Sequence, residues 1–271
     1  MFGTWKTGAS KGGVWAPGGL SFDGRFLYAT TGNTAGAPEW GGGEAVIRLP
    51  PDLQWQPDPD DFFAPDNWLD LDDEDADLGG TGPVPIDLPA SHDMGRLLLA
   101  LGQDGNAYLL NRDILGGIGH PLVVLQIARG AIVTSPAVFA SGDDVFVALQ
   151  ARGSIMRCFP NTIYAGQIAL RIGIGQQAHS MRVAWCVGLN GRGAPIVTTS
   201  DGFANPIVWV AGAEGDDRLH VFRGDTGDLV FDGGGSNDRM ANLRHMVTVL
   251  AARDRLYVAG DGRVYAFTFT P

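Results

Sequence analysis

The sequence lacks long apolar runs and clusters of basic residues. Its longest apolar segments, such as 97–101 and 122–125, have strand length and fall far short of the roughly 20 residues that a membrane-spanning helix needs. The 19 lysines and arginines are scattered along the chain, whereas phosphate binding requires a concentrated basic face. We therefore expect neither a membrane span nor a nucleic-acid partner.

Helical periodicity is missing as well. Forty glycines and sixteen prolines interrupt the chain, and no stretch repeats apolar residues at helical spacing for more than about two turns. Strand-sized segments between glycine- and aspartate-rich turns indicate an all-β protein. A chain of 271 residues is long enough for one large β domain. Met1 precedes polar, glycine-rich sequence rather than a secretory signal.

The negative charge lies in one segment. Residues 52–77 contain eleven acidic residues and no lysine or arginine, so the remainder of this chain of net charge −11 is neutral. An EF-hand is excluded because Asp73, Asp75 and Asp77 are followed by Leu78, where that loop needs glycine. We predict a solvated loop between two structural units, with loose surface binding of calcium as the alternative.

A pair of strands returns five times along the chain. Each pair consists of an apolar strand, a turn and a second strand that commonly carries Tyr or Phe near its end, as in the Asp104-Gly105 hairpin. Equivalent strands lie roughly 48 to 71 residues apart, as in propeller blades with insertions. The pairs are 25–30 with 44–49, 96–101 with 107–110, 144–149 with 154–159, 206–212 with 218–223, and 255–260 with 263–269.

Further apolar segments complete four-stranded units. Segments 82–86, 135–139, 194–198 and 246–250 precede the pairs as inner strands, and 53–56, 123–127, 181–187 and 228–232 follow as outer strands. The sequence thus predicts a single β-propeller domain of about five four-stranded antiparallel blades, with a sandwich as the structural alternative. The blades cover roughly 1–60, 80–130, 131–190, 191–235 and 244–271, with an acidic insertion at 50–80.

Two motifs lie near the start of the chain. Residues 11–19 read Lys-Gly-Gly-Val-Trp-Ala-Pro-Gly-Gly, and residues 23–33 end in Thr-Thr-Gly-Asn. With segments 43–49, 75–80 and 103–117, they resemble the PQQ-type quinoprotein alcohol dehydrogenase-like propellers, whose Gly-Gly-x-Trp and Gly-x-Gly-Asn motifs flank an apolar strand. Thr30 departs from that pattern at the first glycine of the turn. The resemblance extends over nearly the whole chain.

The resemblance implies roles for four residues. In the family's enzymes a tryptophan stacks on the quinone, an asparagine ligates calcium and an aspartate is the base. It therefore implies PQQ binding at Trp15, Ca²⁺ at Asn33, and Asp75 or Asp77 as catalytic base, which suits the chemistry of each side chain. The alternative roles are a channel-capping tryptophan, an asparagine in a tight turn, and a solvated pair of aspartates.

Full members of this family have seven or eight blades, so the resemblance implies that the chain is the C-terminal part of a longer ring. The glutamate that completes the calcium site would lie in the missing blades, and the adjacent-cysteine ring of many family enzymes is absent. We therefore favour a propeller scaffold that resembles the quinoproteins and holds a protein or carbohydrate partner on its rim loops. A PQQ- and calcium-dependent oxidoreductase acting on an alcohol or sugar is the alternative.

The remaining expectations concern assembly and location. The resemblance implies a periplasmic or extracellular parent protein, and open blade edges favour self-association. Cys158 and Cys186 are predicted on neighbouring strands of one blade, where they form either a disulfide or two buried thiols. Five scattered histidines show no zinc-ligand spacing.

Overall fold

A computed structural model describes residues 3–88, 95–153, 166–174 and 178–268. These residues form five β-sheets and one short α-helix. The chain separates into two compact units, Met1–Val133 with Ile174–Met181, and Thr134–Gly173 with Arg182–Pro271. Across the described ranges, no helix is long and apolar enough to cross a membrane.

The first sheet of the first unit is an antiparallel meander. Its strands are β1 (Ser21–Phe22), β2 (Leu27–Thr31), β3 (Ala45–Leu49) and β4 (Phe62–Ala64). The prediction that 53–56 forms the outer strand is wrong, because Leu53 closes a turn onto the carbonyl of Pro50. Phe62 takes that place instead, since its ring stacks on Trp40 with centroids 4.1 Å apart. The two-residue β1 is too short to leave a sequence signal.

The second sheet repeats the same order. It contains β5 (Val84–Asp87), β6 (Arg96–Leu101), β7 (Asn106–Asn111) and β9 (Val123–Gln126), whereas β8 (Gly117–Ile118) pairs in parallel with β4 of the first sheet. The predicted turn at Asp104 and Gly105 is confirmed, and Gly105 has a φ of 82° that suits glycine. Buried Tyr28, Leu98 and Tyr108 belong to one apolar cluster between the two sheets.

The acidic segment between these sheets is not a simple loop. Helix α1 (Trp68–Glu74) forms there, with Asp70 in its first turn, where a negative charge is favourable. Trp68 and Leu71 are buried, and Asp75 ends the helix in the left-handed conformation with its N–H on the carbonyls of Leu71 and Asp72. The helix thereby fixes the direction in which the chain continues to Asp77.

The second unit contains most of a sheet of long strands. They are β10 (Ala137–Ser141), β11 (Asp144–Ala151), β12 (Gly166–Ile174) and β13 (His179–Gly188). The prediction that 154–159 pairs with β11 is wrong, because β12 occupies that position; 154–159 itself lies outside the described residues. Gly173 lies inside β12, since the alternating apolar residues before it carry the strand through this glycine. Cys158 of the predicted cysteine pair also lies outside the described residues.

The other two sheets of this unit follow the same plan. One contains β14 (Ile196–Thr198), β15 (Ile207–Ala211), β16 (Leu219–Arg223) and β17 (Leu229–Asp232), and the other contains β18 (Val249–Ala252), β19 (Arg255–Gly260) and β20 (Arg263–Thr268).

Within this unit the first strands of successive sheets are neighbours, β10 beside β14 and β14 beside β18. A parallel bridge joins Ala194 to Thr248 next to the last two of these strands. Side-by-side inner strands are typical of propeller blades. The predicted class, all-β with antiparallel propeller-type blades, is confirmed, while ring size and a single domain stay predictions.

Candidate functional site

Two side chains that are distant in sequence from Asp77 meet at its carboxylate in the first unit. Asp77 accepts a hydrogen bond from the indole Nε1 of Trp15 at 3.0 Å and one from the amide Nδ2 of Asn33 at 2.9 Å. Asp77 is 6% exposed. Because Trp15 and Asn33 lie 62 and 44 residues before Asp77, this convergence is a product of the tertiary fold.

The backbone around this carboxylate is held in an unusual conformation. Asn33 follows β2 and Glu44 precedes β3, and both residues have a left-handed φ, of 50° and 48°. Such φ values are uncommon for residues with a side chain and occur frequently at functional sites. As a result, the side chains of Asn33 and Glu44 both lie next to Asp77.

Two glycines make room for this arrangement. A Cβ atom on Gly32 would lie 2.5 Å from Cγ of Asp77, and one on Gly43 would lie 2.2 Å from the carbonyl oxygen of Asn33. Real Cβ atoms do not approach that closely. The glycine before Asn33, which belongs to the Gly-x-Gly-Asn resemblance, is therefore required by the position of Asp77.

Glu44 is a buried carboxyl next to Asp77. Its side-chain oxygens accept the backbone N–H groups of Asn33, at 2.5 Å, and of Leu78, at 2.7 Å, and it is 0% exposed. It thus ties the loop after β2 to the chain that follows Asp77. A buried carboxyl with only neutral donors is expected to resist ionisation.

The electrostatics of the pair follow from burial. Burial raises the pKa of Glu44 to about 7, and the charge of Asp77 adds to this rise, although the two backbone N–H groups oppose it. Burial likewise raises the pKa of Asp77, assisted by the charge of Asp75 and opposed by the hydrogen bond from Trp15. Each of the two carboxyls influences the pKa of the other, so they titrate as a coupled pair.

Helix α1 is anchored to the loop that follows β2. Asp72 accepts the backbone N–H groups of Thr34 at 2.7 Å, Ala35 at 2.9 Å and Gly36 at 2.5 Å. Burial raises the pKa of Asp72, but the three hydrogen bonds have the larger effect, so the pKa is lowered overall. Asp72 therefore fixes the turn that positions Asn33.

Trp15 presents part of its ring to solvent beside a basic cleft. The side chain is 42% exposed, and its Nε1 contact with Asp77 holds the orientation of the ring. A cleft of about 460 Å³ is formed by the residues immediately before it and includes Trp5, Lys6 and Lys11. Within the described part of the chain, neither lysine forms an ion pair.

The structure therefore brings Trp15, Asn33 and Asp77 together. Asp75 instead caps the C-terminus of α1 and affects the pKa of Asp77 through its charge. The catalytic and ligand roles given to these residues stay predictions.

Sequence reasoning missed Glu44 and Asp72. For Glu44 a signal existed, a single charged residue between three glycines and the apolar strand β3. For Asp72 the acidic segment offered eleven equivalent candidates.

No family model matches the chain, and no curated protein matches it. Among solved structures, it is similar to the quinohemoprotein alcohol dehydrogenase of Comamonas testosteroni, with a TM-score of 0.47 and 15% identity over 92% of this chain and 44% of that one. It is also similar to the computationally designed protein Ika8, with a TM-score of 0.46 and 14% identity over 92% and 57% of the two chains.

A third similar structure is BamB from Moraxella catarrhalis, with a TM-score of 0.39 and 12% identity over 93% of this chain and 69% of that one. The chain thus spans about half the length of the first two proteins. At these identities and scores, the likenesses assign no residue role and no family to the chain.

Proposed function

We propose that the first unit carries the quinone-facing part of a dehydrogenase site that oxidises an alcohol or sugar. The observation that carries this proposal is that Trp15 and Asn33 both donate to the buried carboxylate of Asp77. These are three of the four residues for which the sequence resemblance implies a role. A solvated loop with an unrelated tryptophan would not require this convergence.

The residues suit one face of a planar, anionic quinone. Trp15 offers an aromatic face whose orientation is fixed through Nε1, and stacking on a flat ring needs such a face. Lys6 and Lys11, which line the adjoining cleft, suit the carboxylates of PQQ, since unpaired ammonium groups attract carboxylates. When bound, an ortho-quinone supplies the acceptor for the two electrons that leave the alcohol.

The donor set does not suit calcium. Within the described ranges no group of three or more His, Cys, Asp or Glu side chains could hold a metal, whereas Ca²⁺ takes roughly six to eight oxygen ligands. The Nδ2 group of Asn33 donates to Asp77, which leaves its carbonyl oxygen as a single ligand atom. We therefore assign no step to calcium on this chain.

In this proposal Asp77 receives the proton of the substrate hydroxyl. Its partners at the site are neutral donors, and no described cation forms an ion pair with it, so its basicity is not reduced by a neighbouring positive charge. Trp15 and Asn33 hold both carboxylate oxygens in place, and Glu44 holds the loop that carries Asn33.

Equilibrium binding of PQQ to the folded chain, measured by dialysis and by the absorbance of the bound quinone, tests the proposal. We expect saturable binding that persists in a calcium chelator and weakens at least tenfold in Trp15→Ala. Lys6→Gln with Lys11→Gln should weaken it as well. Phe203→Ala, which removes a 75% exposed ring in the second unit, is the matched control and should bind normally.

Activity is the second measurement. Dye-coupled oxidation of simple alcohols and sugars by the PQQ-loaded chain should fall by at least a hundredfold in Asp77→Asn. PQQ binding should weaken far less than in Trp15→Ala, since the tryptophan ring is still present. A folded chain that takes up no PQQ, or one that binds it equally well after Trp15→Ala, would rule out the quinone site and leave the propeller-type scaffold as the function.

A further inference from the structure

The second unit contains a cleft that shares no residue with the site around Asp77. Its volume is about 440 Å³, and it lies between the hairpin of β14 and β15 and that of β18 and β19. Trp209 and Leu256 supply apolar walls, and Arg253, Asp254 and Arg255 supply charges. Pockets of roughly 300 to 1,000 Å³ that combine aromatic walls with a few polar groups are typical of small-molecule sites.

Trp209 forms a wall whose orientation is fixed. The residue lies on β15 opposite Ile196, and its indole Nε1 donates to the hydroxyl of Thr198 at 2.8 Å. Thr198 lines the same cleft. An indole held in this way offers a preorganised surface for a planar group, because little rotamer freedom is lost when a ligand stacks on it.

Two arginines line the cleft without partners. Within the described residues, the guanidinium groups of Arg253 and Arg255 form no hydrogen bond or ion pair, and both residues are exposed. Other arginines of this unit are paired, for example Arg171 with Asp144 at 2.5 Å and Arg192 with Glu214 at 3.0 Å. In a chain of net charge −11, two unpaired cations in one cleft form a local anion-attracting site.

The turn that carries the first arginine has an uncommon backbone. Ala252 pairs with Arg255, so the hairpin turn consists of Arg253 and Asp254 alone, and both have a left-handed φ, of 49° and 60°. Two-residue turns with this geometry favour Asn-Gly. The next hairpin of the same sheet has Gly262, with a φ of 70°, in its turn. A charged pair kept in strained positions is consistent with a binding role.

We infer that this cleft binds a small organic anion with a planar aromatic body, such as an aromatic carboxylate. The ring packs against Trp209 and Leu256, and the carboxylate is bound by Arg253 and Arg255, whose planar guanidinium groups match it in geometry. Asp254 repels the anion and limits its affinity. The occupant is small, because a cleft of this size holds one or two rings.

The test uses three ligands of one shape, namely 2-naphthoate, neutral 2-naphthamide and cationic 2-naphthylmethylamine, titrated by calorimetry into the full chain. We expect saturable binding of naphthoate, at least tenfold tighter than that of the amide and the amine. Arg255→Gln should weaken the binding of naphthoate at least fivefold and leave the affinity for the amide unchanged. Arg263→Gln, an exposed arginine on the adjacent strand β20 that does not line the cleft, is the control and should bind as the parent does.

Two further variants separate binding from folding. Asp254→Asn should strengthen naphthoate binding, since it removes the repelling charge. The double variant Arg253→Asn with Asp254→Gly should raise the melting temperature, because Asn-Gly suits the turn. It should bind naphthoate more weakly than Asp254→Asn does. Equal affinities for the three ligands, no saturation at 10 mM, or unchanged naphthoate binding in Arg255→Gln would overturn the inference.

Discussion

Glu44 and Leu78, 34 residues apart, are joined by a hydrogen bond of 2.7 Å from the backbone N–H of Leu78 to the buried carboxyl of Glu44. Because burial raises the pKa of Glu44 from 4.5 to about 7, the folded state holds a proton that the unfolded chain releases between these values. Stability from this group is therefore full below about pH 4.5 and falls as the pH rises to about 7.

We expect the free energy of unfolding of the first unit to fall by up to about 3 kcal/mol across that window, since each unit of pKa shift corresponds to about 1.4 kcal/mol. Urea unfolding at pH 5 and pH 8 measures this change. Glu44→Gln should remove most of the pH dependence, while it costs about 1 to 3 kcal/mol at pH 5 because one backbone N–H loses its acceptor. An unaltered slope in that variant would contradict the assignment.

Gly32→Ala tests whether the glycine is required by Asp77. The added Cβ would lie 2.5 Å from Cγ of this aspartate, so the carboxylate must move away from Trp15 and Asn33. We expect a loss of roughly 1 to 3 kcal/mol of stability and a changed near-ultraviolet circular dichroism spectrum, because Trp15 loses its fixed orientation. Gly235→Ala is the control, since its Cβ would meet only Asp238 at 3.7 Å, and it should leave the spectrum unchanged.

The candidate site shows which kinds of residue a sequence can reveal. The resemblance pointed to Trp15, Asn33 and the pair Asp75 and Asp77, because it rests on motifs that are local in the sequence, such as a tryptophan after two glycines. Glu44 was not found, since its importance depends on the N–H of Leu78, which only the folded chain brings near. Its burial and its raised pKa are consequences of tertiary contacts.

The fold shows the same division. Hairpins with an aspartate-glycine turn, such as that at Asp104 and Gly105, were predicted because turn chemistry and alternation agree there. The outer strand Phe62–Ala64 was missed, because three residues leave no alternation to detect. Strand β12 was missed because Gly166 and Gly173 resemble turn residues, although neighbouring strands override that local preference.

Asp23 is a buried ionic centre between the two sheets of the first unit. Its fully buried side chain accepts hydrogen bonds from the hydroxyl of Tyr28 at 2.9 Å and from Arg96 at 3.0 Å, and Nε of Arg112 lies 3.6 Å away. We expect Asp23→Asn to lower the free energy of unfolding by about 1 to 3 kcal/mol, because Tyr28 and Arg96 lose a charged acceptor. The loss is limited because Arg112 keeps its ion pair with Asp87.

Asp113 provides the matched comparison, since it pairs with the same Arg96 at 3.3 Å but is 54% exposed. Asp113→Asn should change the stability by less than about 1 kcal/mol. Urea unfolding of both variants in low and high salt measures the difference, and only the Asp113 contribution should depend on salt. Equal losses in the two variants would show that burial does not decide the strength of these pairs.

His220 on β16 is held between two carboxylates in the second unit. Its Nε2 lies 3.0 Å from Asp216 and its Nδ1 lies 2.9 Å from Asp232. Burial lowers the pKa of His220, but the hydrogen bonds and charges of Asp216 and then Asp232 outweigh it, so the pKa is raised above 6.5. Both ring nitrogens donate only when the imidazole is protonated.

Because the folded pKa exceeds the unfolded value, the stabilisation from His220 is full below pH 6.5 and is lost as the pH rises through the folded pKa. Urea unfolding between pH 6 and pH 9 should show this loss, and His220→Gln should reduce it, whereas His120→Gln, at an exposed position of the first unit, should not. The ring signals of His220 in an NMR titration give its pKa directly. A value below 6.5 would mean that burial outweighs the two aspartates and that His220 is neutral in the folded unit at physiological pH.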